Sequence, residues 1–163
     1  MIINDSYTSK RTGATQAIQY EEMDNFDAIR DLPVGAVGAF CFFKDKFVLV
    51  YAKSRDSWET PGGGCESGET FEESIIREIK EESNMKVLKL VPLGCDTYTN
   101  TKTAEVNYVL RFAAKVEPYG PFVEDLADGE ITEMKLIDPM DYKQYFDWKE
   151  RGDAMIKKAL DMI

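Results

Sequence analysis

Residues Gly63 to Met85 read GGCESGETFEESIIREIKEESNM, and this stretch decides how the rest of the chain is understood. Its second half has the 3.6-residue period of a helix. Thr70, followed three residues on by Glu73, is a capping-box start. The helix should stop near Ser83, with Asn84 taking the left-handed position that usually falls to glycine. What such a helix does not need is three glutamates, Glu78, Glu81 and Glu82, in its last two turns. Acids at the negative end of the helix dipole cost roughly 0.3–1 kcal/mol each, and like charges three or four apart add a few tenths. A bound cation is the obvious compensation.

The helical wheel sharpens this. With Phe71 at zero and about 100° per residue, Ile75 and Ile79 fall at about 40° and about 80°, marking the buried side. Glu82 falls inside that stripe, at about 20°. Glu78 lies at its edge, at about 340°, and Glu81 at about 280°. Glu73, Arg77 and Lys80 occupy the face expected to be most solvated. A merely solvated acidic face would lie opposite the isoleucines, and a carboxylate inside the stripe is costly unless paired. Glu78 and Glu82, one turn apart, can share a cation. An all-oxygen donor set favours Mg²⁺, with Mn²⁺ as a substitute. The glycines at 62, 63 and 64 let backbone approach a ligand closely; a simple tight turn is the alternative.

Outward from this helix, Val34 to Phe43 and Phe47 to Lys53 read as strands joined by a Lys44-Asp45-Lys46 turn. Asp56 to Gly68 reads as a loop. Val87 to Val91 should be a short strand, Val106 to Val116 a longer one, and Glu130 to Ile137 another. Asp138 and Pro139 open a helix, and a last helix runs from about Asp153 with Met155, Ile156, Ala159, Leu160 and Ile163 as its apolar stripe. In the polar residues 1–33, Thr15 to Tyr20 suggests an edge strand and Glu22 to Arg30 a short helix. Strands with interspersed helices imply a mixed sheet covered on both faces, within a single domain over residues 1–163.

The 163 residues carry 30 acids against 20 bases, a formal charge of -10. That balance argues against a surface for duplex nucleic acid but not against a small anionic ligand, because a metal can reverse the local sign. No apolar run is long enough to cross a bilayer, and the start lacks the order of a secretory signal, so a soluble, cytoplasmic protein is expected. Three cysteines, widely spaced, make no disulfide framework. The chain has no histidine. Acid–base work therefore falls to carboxylates, lysine, tyrosine or cysteine.

Gly63, Glu69, Arg77, Glu78, Ile79, Glu81 and Glu82, followed by Asn84 and Met85, resemble the Nudix box, G-x5-E-x7-R-E-U-x-E-E-x-G-U with U apolar. Asn84 stands where the family has glycine. Six fixed polar or glycine positions match, a coincidence on the order of 10⁻⁷ per start position at ~6% usage per residue type. The resemblance implies a three-layer α/β/α sandwich and metal-dependent hydrolysis of a nucleoside diphosphate linked to another group. It further implies that Glu78 and Glu82 hold metal, that Glu81 binds metal or activates water, and that the Gly63 carbonyl is a further ligand. Arg77 would pair with Glu69 and orient the carboxylates.

The resemblance further implies that an acid from a later loop or strand can join the site, and Glu130 and Glu133 are the candidates; ordinary surface acids are the alternative. For substrate contact, Trp58, Tyr98 and Tyr108 are aromatic candidates, although aromatics near strands are more often core. Arg55 and Lys53 are candidates for phosphate. Neither the proline of ADP-ribose hydrolases, where Asn100 stands instead, nor the coenzyme A-type motif is present. Nucleoside triphosphates, nucleotide sugars and dinucleotides all remain open as substrates. The other readings are a nucleotide-binding or regulatory module without turnover, and an isomerase or glycosylase on the same scaffold. Residues 1–33 are a candidate for packing across a homodimer interface.

Overall fold

A computed structural model of the chain describes residues 1–124 and 129–163. Its strands are β1 (Ile2–Thr8), β2 (Thr15–Glu22), β3 (Val34–Phe43), β4 (Lys46–Ala52), β5 (Ser57–Glu59), β6 (Gly62–Gly64), β7 (Met85–Asn100), β8 (Val106–Pro118) and β9 (Ile131–Ile137). Helix α1 (Phe71–Ser83) follows β6, and α2 (Lys149–Met162) ends the chain. The sheet runs β1-β2-β7-β8-β3-β4-β5, with β6 paired to β3 and β9 to β4. The β3–β8 pair is parallel, and the other pairings are antiparallel. The sheet is therefore mixed.

Alternation along the central strands sends side chains to two separate cores. Val37, Ala39 and Cys41 of β3 face α1 and meet Ile75 and Ile79 there. Phe40 and Phe42 face the other way and meet Met155, Ile156 and Ala159 of α2. The result is the three-layer α/β/α sandwich that the sequence implied.

Several elements differ from the sequence reading, each for a physical reason. Thr15 to Tyr20 belongs to β2, but β2 is not an edge: β1 covers one side and β7 the other. Glu22 to Arg30 is not a helix; Glu22 ends β2, and only Asp27–Ile29 makes a 3-10 turn. Residues 1–33 thus contribute two strands to the chain's own sheet. β7 is far longer than Val87 to Val91, because register shifts near Val87/Lys89 and Pro92/Gly94 absorb residues that break alternation without ending the strand. The Asp56–Gly68 loop contains β5 and β6. Asp138 does cap, accepting from the Met140 N–H at 2.9 Å, but the turn it starts is 3-10, Pro139–Gln144. α2 begins at Lys149, ahead of Asp153. Its start was hidden by Gly152, where a Cβ would lie 2.9 Å from the Tyr142 hydroxyl. Leu160 of the expected stripe is exposed.

Helix α1 forms as its sequence requires. Thr70 accepts from the Glu73 N–H at 3.1 Å while Glu73 accepts from the Thr70 N–H at 2.9 Å. Asn84 ends it at φ 54° and ψ 39°, and its side-chain amide donates to the Pro121 carbonyl at 2.9 Å. Asn84→Ala, which keeps neither the αL tolerance nor that bond, should lower stability by about 1–2 kcal/mol. Asn84→Gly should stay within about 1 kcal/mol of the parent. Denaturant titration of the two variants distinguishes them, and equal midpoints would show that this cap carries no strain.

Candidate active site

The glycine loop is a strand at the sheet edge. Gly62, Gly63 and Gly64 pair with Gly38, Val37 and Ala36 of β3, which holds their backbone against the C-terminal half of α1. The Gly62 N–H donates to Glu82 Oε1 at 2.6 Å. At Gly63 a Cβ would lie 2.5 Å from the Glu78 carboxyl carbon, so only glycine leaves room for that carboxylate. The need for glycine here comes from this close approach rather than from an unusual φ.

The three glutamates are disposed as the wheel predicts. Glu82 is buried and Glu78 is half-buried, whereas the Glu81 side chain is 46% exposed. Arg77 departs from the solvated face on which the wheel put it and makes the contact with Glu69 that the resemblance implied. It is not a solvated residue, because the Glu66–Glu69 segment folds over it. Its guanidinium chelates Glu69 at 2.8 and 3.0 Å and donates to the Gly64 carbonyl at 3.0 Å. Its Nη1 reaches Glu78 at 2.8 Å and Glu81 at 3.2 Å. One cation thus fixes the rotamers of three carboxylates.

The electrostatic consequences differ by residue. Hydrogen bonds from Arg77, the Glu66 N–H and the Ser74 hydroxyl hold the Glu69 carboxyl down at about 2. Burial pushes the Glu82 carboxyl up to about 8, and the charges of Glu78 and Glu59 push the same way against the Gly62 hydrogen bond. A buried carboxylate beside two others in an all-oxygen setting is what a hard divalent ion relieves, so these residues fit such an ion. Among the described residues no group of three or more Asp, Glu or Cys side chains is disposed to hold a metal ion by itself, so an ion here would take backbone or substrate oxygens as well. Glu78 and Glu82 both lie against the Gly62–Gly63 backbone.

Of the two later acids, Glu130 is drawn toward this region. It accepts from the Ser54 hydroxyl at 2.5 Å and lies 3.5 Å from Arg55 Nη1. Arg55 itself chelates Glu59 with two bonds of 2.7 Å. Glu133 lies exposed on β9, in register with Tyr51, and Lys53 is exposed where β4 ends.

On the α2 side of the sheet a cleft of about 590 Å³ opens beside the same glycines, Gly62 and Gly63. Trp58 and Tyr98 line it, whereas Tyr108 packs against the α1-side core. The sequence reading missed Glu59, Arg111, Trp148 and Arg151, which also line the cleft. Arg111 and Arg151 are both buried and converge on Oδ2 of Asp96, at 2.6 and 2.8 Å. An arginine set between Leu110 and Phe112 in an alternating strand was the available signal of a buried cation.

This fold and this loop–helix arrangement define the Nudix class of α/β/α proteins. The sequence model of the NUDIX domain matches residues 32–159, and the chain belongs to that family. The chain is similar to the uncharacterized Nudix hydrolase YvcI of Bacillus subtilis, at 41% identity over 33% of this chain, and the match spans 34% of that relative's length. It is similar to an RNA pyrophosphohydrolase of Nitratiruptor, at 25% identity over 71% of this chain and 79% of the relative. Among solved structures, a mutant form of the Bacillus subtilis pyrophosphohydrolase BsRppH superposes with a TM-score of 0.70 at 21% identity, covering 96% of both chains. At that identity the likeness concerns the fold.

Proposed function

We propose that this protein is a divalent-metal-dependent pyrophosphohydrolase acting on a nucleoside diphosphate linked to another group. The observation that carries this reading is the adjacency of the cleft and the box across Gly62 and Gly63. A nucleoside in the cleft would present its 5′-phosphates to Glu78 and Glu82. Glu78 and Glu82 would hold the ion, with Glu81 and the Gly63 carbonyl as further ligand candidates. Mg²⁺ is the expected ion and Mn²⁺ its substitute. When bound, the ion supplies charge neutralisation and Lewis acidity at the diphosphate.

The chain's own residues do the rest. Glu81, the most open of the three, takes the proton of the attacking water as its oxygen bonds to phosphorus and the phosphoanhydride P–O bond breaks. Arg77 keeps Glu78 and Glu81 in their rotamers, and Glu69 keeps Arg77 in its own. Glu59 lines the cleft and holds Arg55 by two hydrogen bonds, and the Arg55 guanidinium is the group suited to orienting the phosphates. The likeness to RNA pyrophosphohydrolases of Nitratiruptor and Sulfurovum supports hydrolysis of a pyrophosphate bond.

The test is a panel of nucleoside triphosphates, nucleotide sugars, dinucleotides and a 5′-triphosphorylated oligonucleotide. Released phosphate and monophosphate are read with Mg²⁺ and with EDTA. Metal-dependent release from at least one class is expected. Activity indifferent to EDTA, or tight binding with no release across the panel, would overturn the reading.

A further inference from the structure

The far end of the cleft has a chemistry that the box does not use. Arg111 rises from β8 in register with Gly38 of β3. A Cβ at Gly38 would lie 2.7 Å from Arg111 Nη1, so the bare glycine is what lets the guanidinium lie there. Arg111 Nη2 donates to the Tyr98 hydroxyl at 3.1 Å. Arg151 comes in from α2, and both guanidiniums lie 4.7 Å from the centre of the Trp148 ring. Arg111 is 7% exposed and Arg151 3%. Their common counter-ion, Asp96, is wholly buried and forms no part of the cleft wall.

Whatever reaches this end therefore meets donors. Guanidinium groups accept nothing, and the Tyr98 hydroxyl, having accepted from Arg111, has its own proton left to give. A second phosphate is one group that satisfies donors, but the surroundings disfavour it. Asp5, Glu59 and Asp147 line the cleft against the single further cation Lys149, which is itself 2.8 Å from Asp5. Among the described residues, counting Asp96 beneath the wall and Arg55 as the partner of Glu59, four acids balance four bases, so there is no surplus of positive charge for another anion. A neutral, planar group with an acceptor-only edge fits both the donors and the aromatic walls at Trp58, Phe146 and Trp148. Guanine and hypoxanthine have that edge in O6 and N7, and adenine presents an amino donor in place of O6.

We infer that the Arg111–Arg151 wall makes this cleft selective for 6-oxopurine nucleotides over adenine nucleotides. The inference rests on the reading of the cleft as the nucleoside site. The donor wall is anchored from beneath by Asp96 and from the side by Tyr98, so its two guanidiniums are ordered before a base arrives.

Binding without turnover separates this inference from the proposed reaction. The chain has two tryptophans, Trp58 and Trp148, and both line the cleft. Their fluorescence can therefore be titrated in EDTA with GMP, IMP, AMP and UMP. GMP and IMP should bind at least about ten-fold tighter than AMP and UMP, and 7-deaza-GMP should lose part of that advantage. Arg151→Gln, with its fold checked by circular dichroism, should reduce the preference for GMP over AMP to under about three-fold. Arg151→Lys should restore part of it. AMP or UMP binding as tightly as GMP in the parent protein would overturn the inference, and that comparison needs no variant to fold. Hydrolysis of GTP and ATP with equal kcat/KM would likewise overturn it while leaving the pyrophosphohydrolase reading intact. A GMP preference with no hydrolysis of any nucleotide would sink the reaction but not the selectivity.

Discussion

Glu78→Gln is expected to lower kcat by two to four orders of magnitude while the fold stays in place. The substitution is nearly isosteric, and the space available to it is set by Gly63, whose missing Cβ leaves room for the carboxylate. What changes is charge. The glutamine offers one neutral oxygen where two shared a negative charge, and its amide can turn a donor toward Arg77 Nη1, now 2.8 Å from the carboxylate. Loss of one anionic ligand beside a diphosphate removes stabilisation of several kcal/mol from the transition state. Glu81→Gln should reach a similar loss by a different route, because a positioned carboxylate base contributes about 10²–10⁴-fold. Glu81 is the more exposed side chain, so its substitution should change the melting temperature less. Steady-state kinetics with Mg²⁺, alongside thermal melts, check both. Full activity in the two variants would remove the box from the chemistry altogether.

Helix α1 was legible because its determinants are local. The capping box, the isoleucine spacing and the left-handed Asn84 all lie within a few residues of what they control, and Glu82 betrayed itself by lying within the apolar stripe. The site's other half was not legible, for the opposite reason. Asp96 and Arg151 are 55 residues apart, and no periodicity links a strand acid to a helix base across a sheet. The wheel alone misplaced Arg77, because it knows only its own helix; the pairing with Glu69 came from the family resemblance instead. The wheel could not anticipate that the Glu66–Glu69 segment would cover the outer face and turn a solvated position into the centre of a network. β1 was missed because most of its residues are polar and it lies at an edge, where burial of one face is enough. Ile3 is buried, while Asp5 points toward the Lys149 ammonium.

The acid trapped in the apolar stripe also sets how the metal-free protein responds to pH. Glu82 holds its proton up to about 8, against an ordinary 4.5. Between those values the folded chain carries a proton that the unfolded chain has released. Stability must therefore fall as pH rises from about 5 to about 8, by an amount on the order of 3–5 kcal/mol. Glu69 works in the opposite sense: its carboxyl is held down at about 2, so its contribution is present above 4.5 and is lost as pH falls toward 2. The metal-free protein should thus be most stable in mild acid. The chain has no histidine, which removes the side chain that ordinarily titrates between pH 5 and 8 and leaves Glu82 conspicuous in that range. In EDTA the melting temperature should drop by roughly 10 °C from pH 5 to pH 8.5. Glu82→Gln should flatten that slope without lowering the melting temperature at pH 5. Saturating Mg²⁺ or Mn²⁺ should flatten it as well, since a cation bound to the ionised form replaces the proton. A melting temperature in EDTA that stays level across this range would mean that Glu82 ionises without penalty, and the case for a cation at its side would go with it.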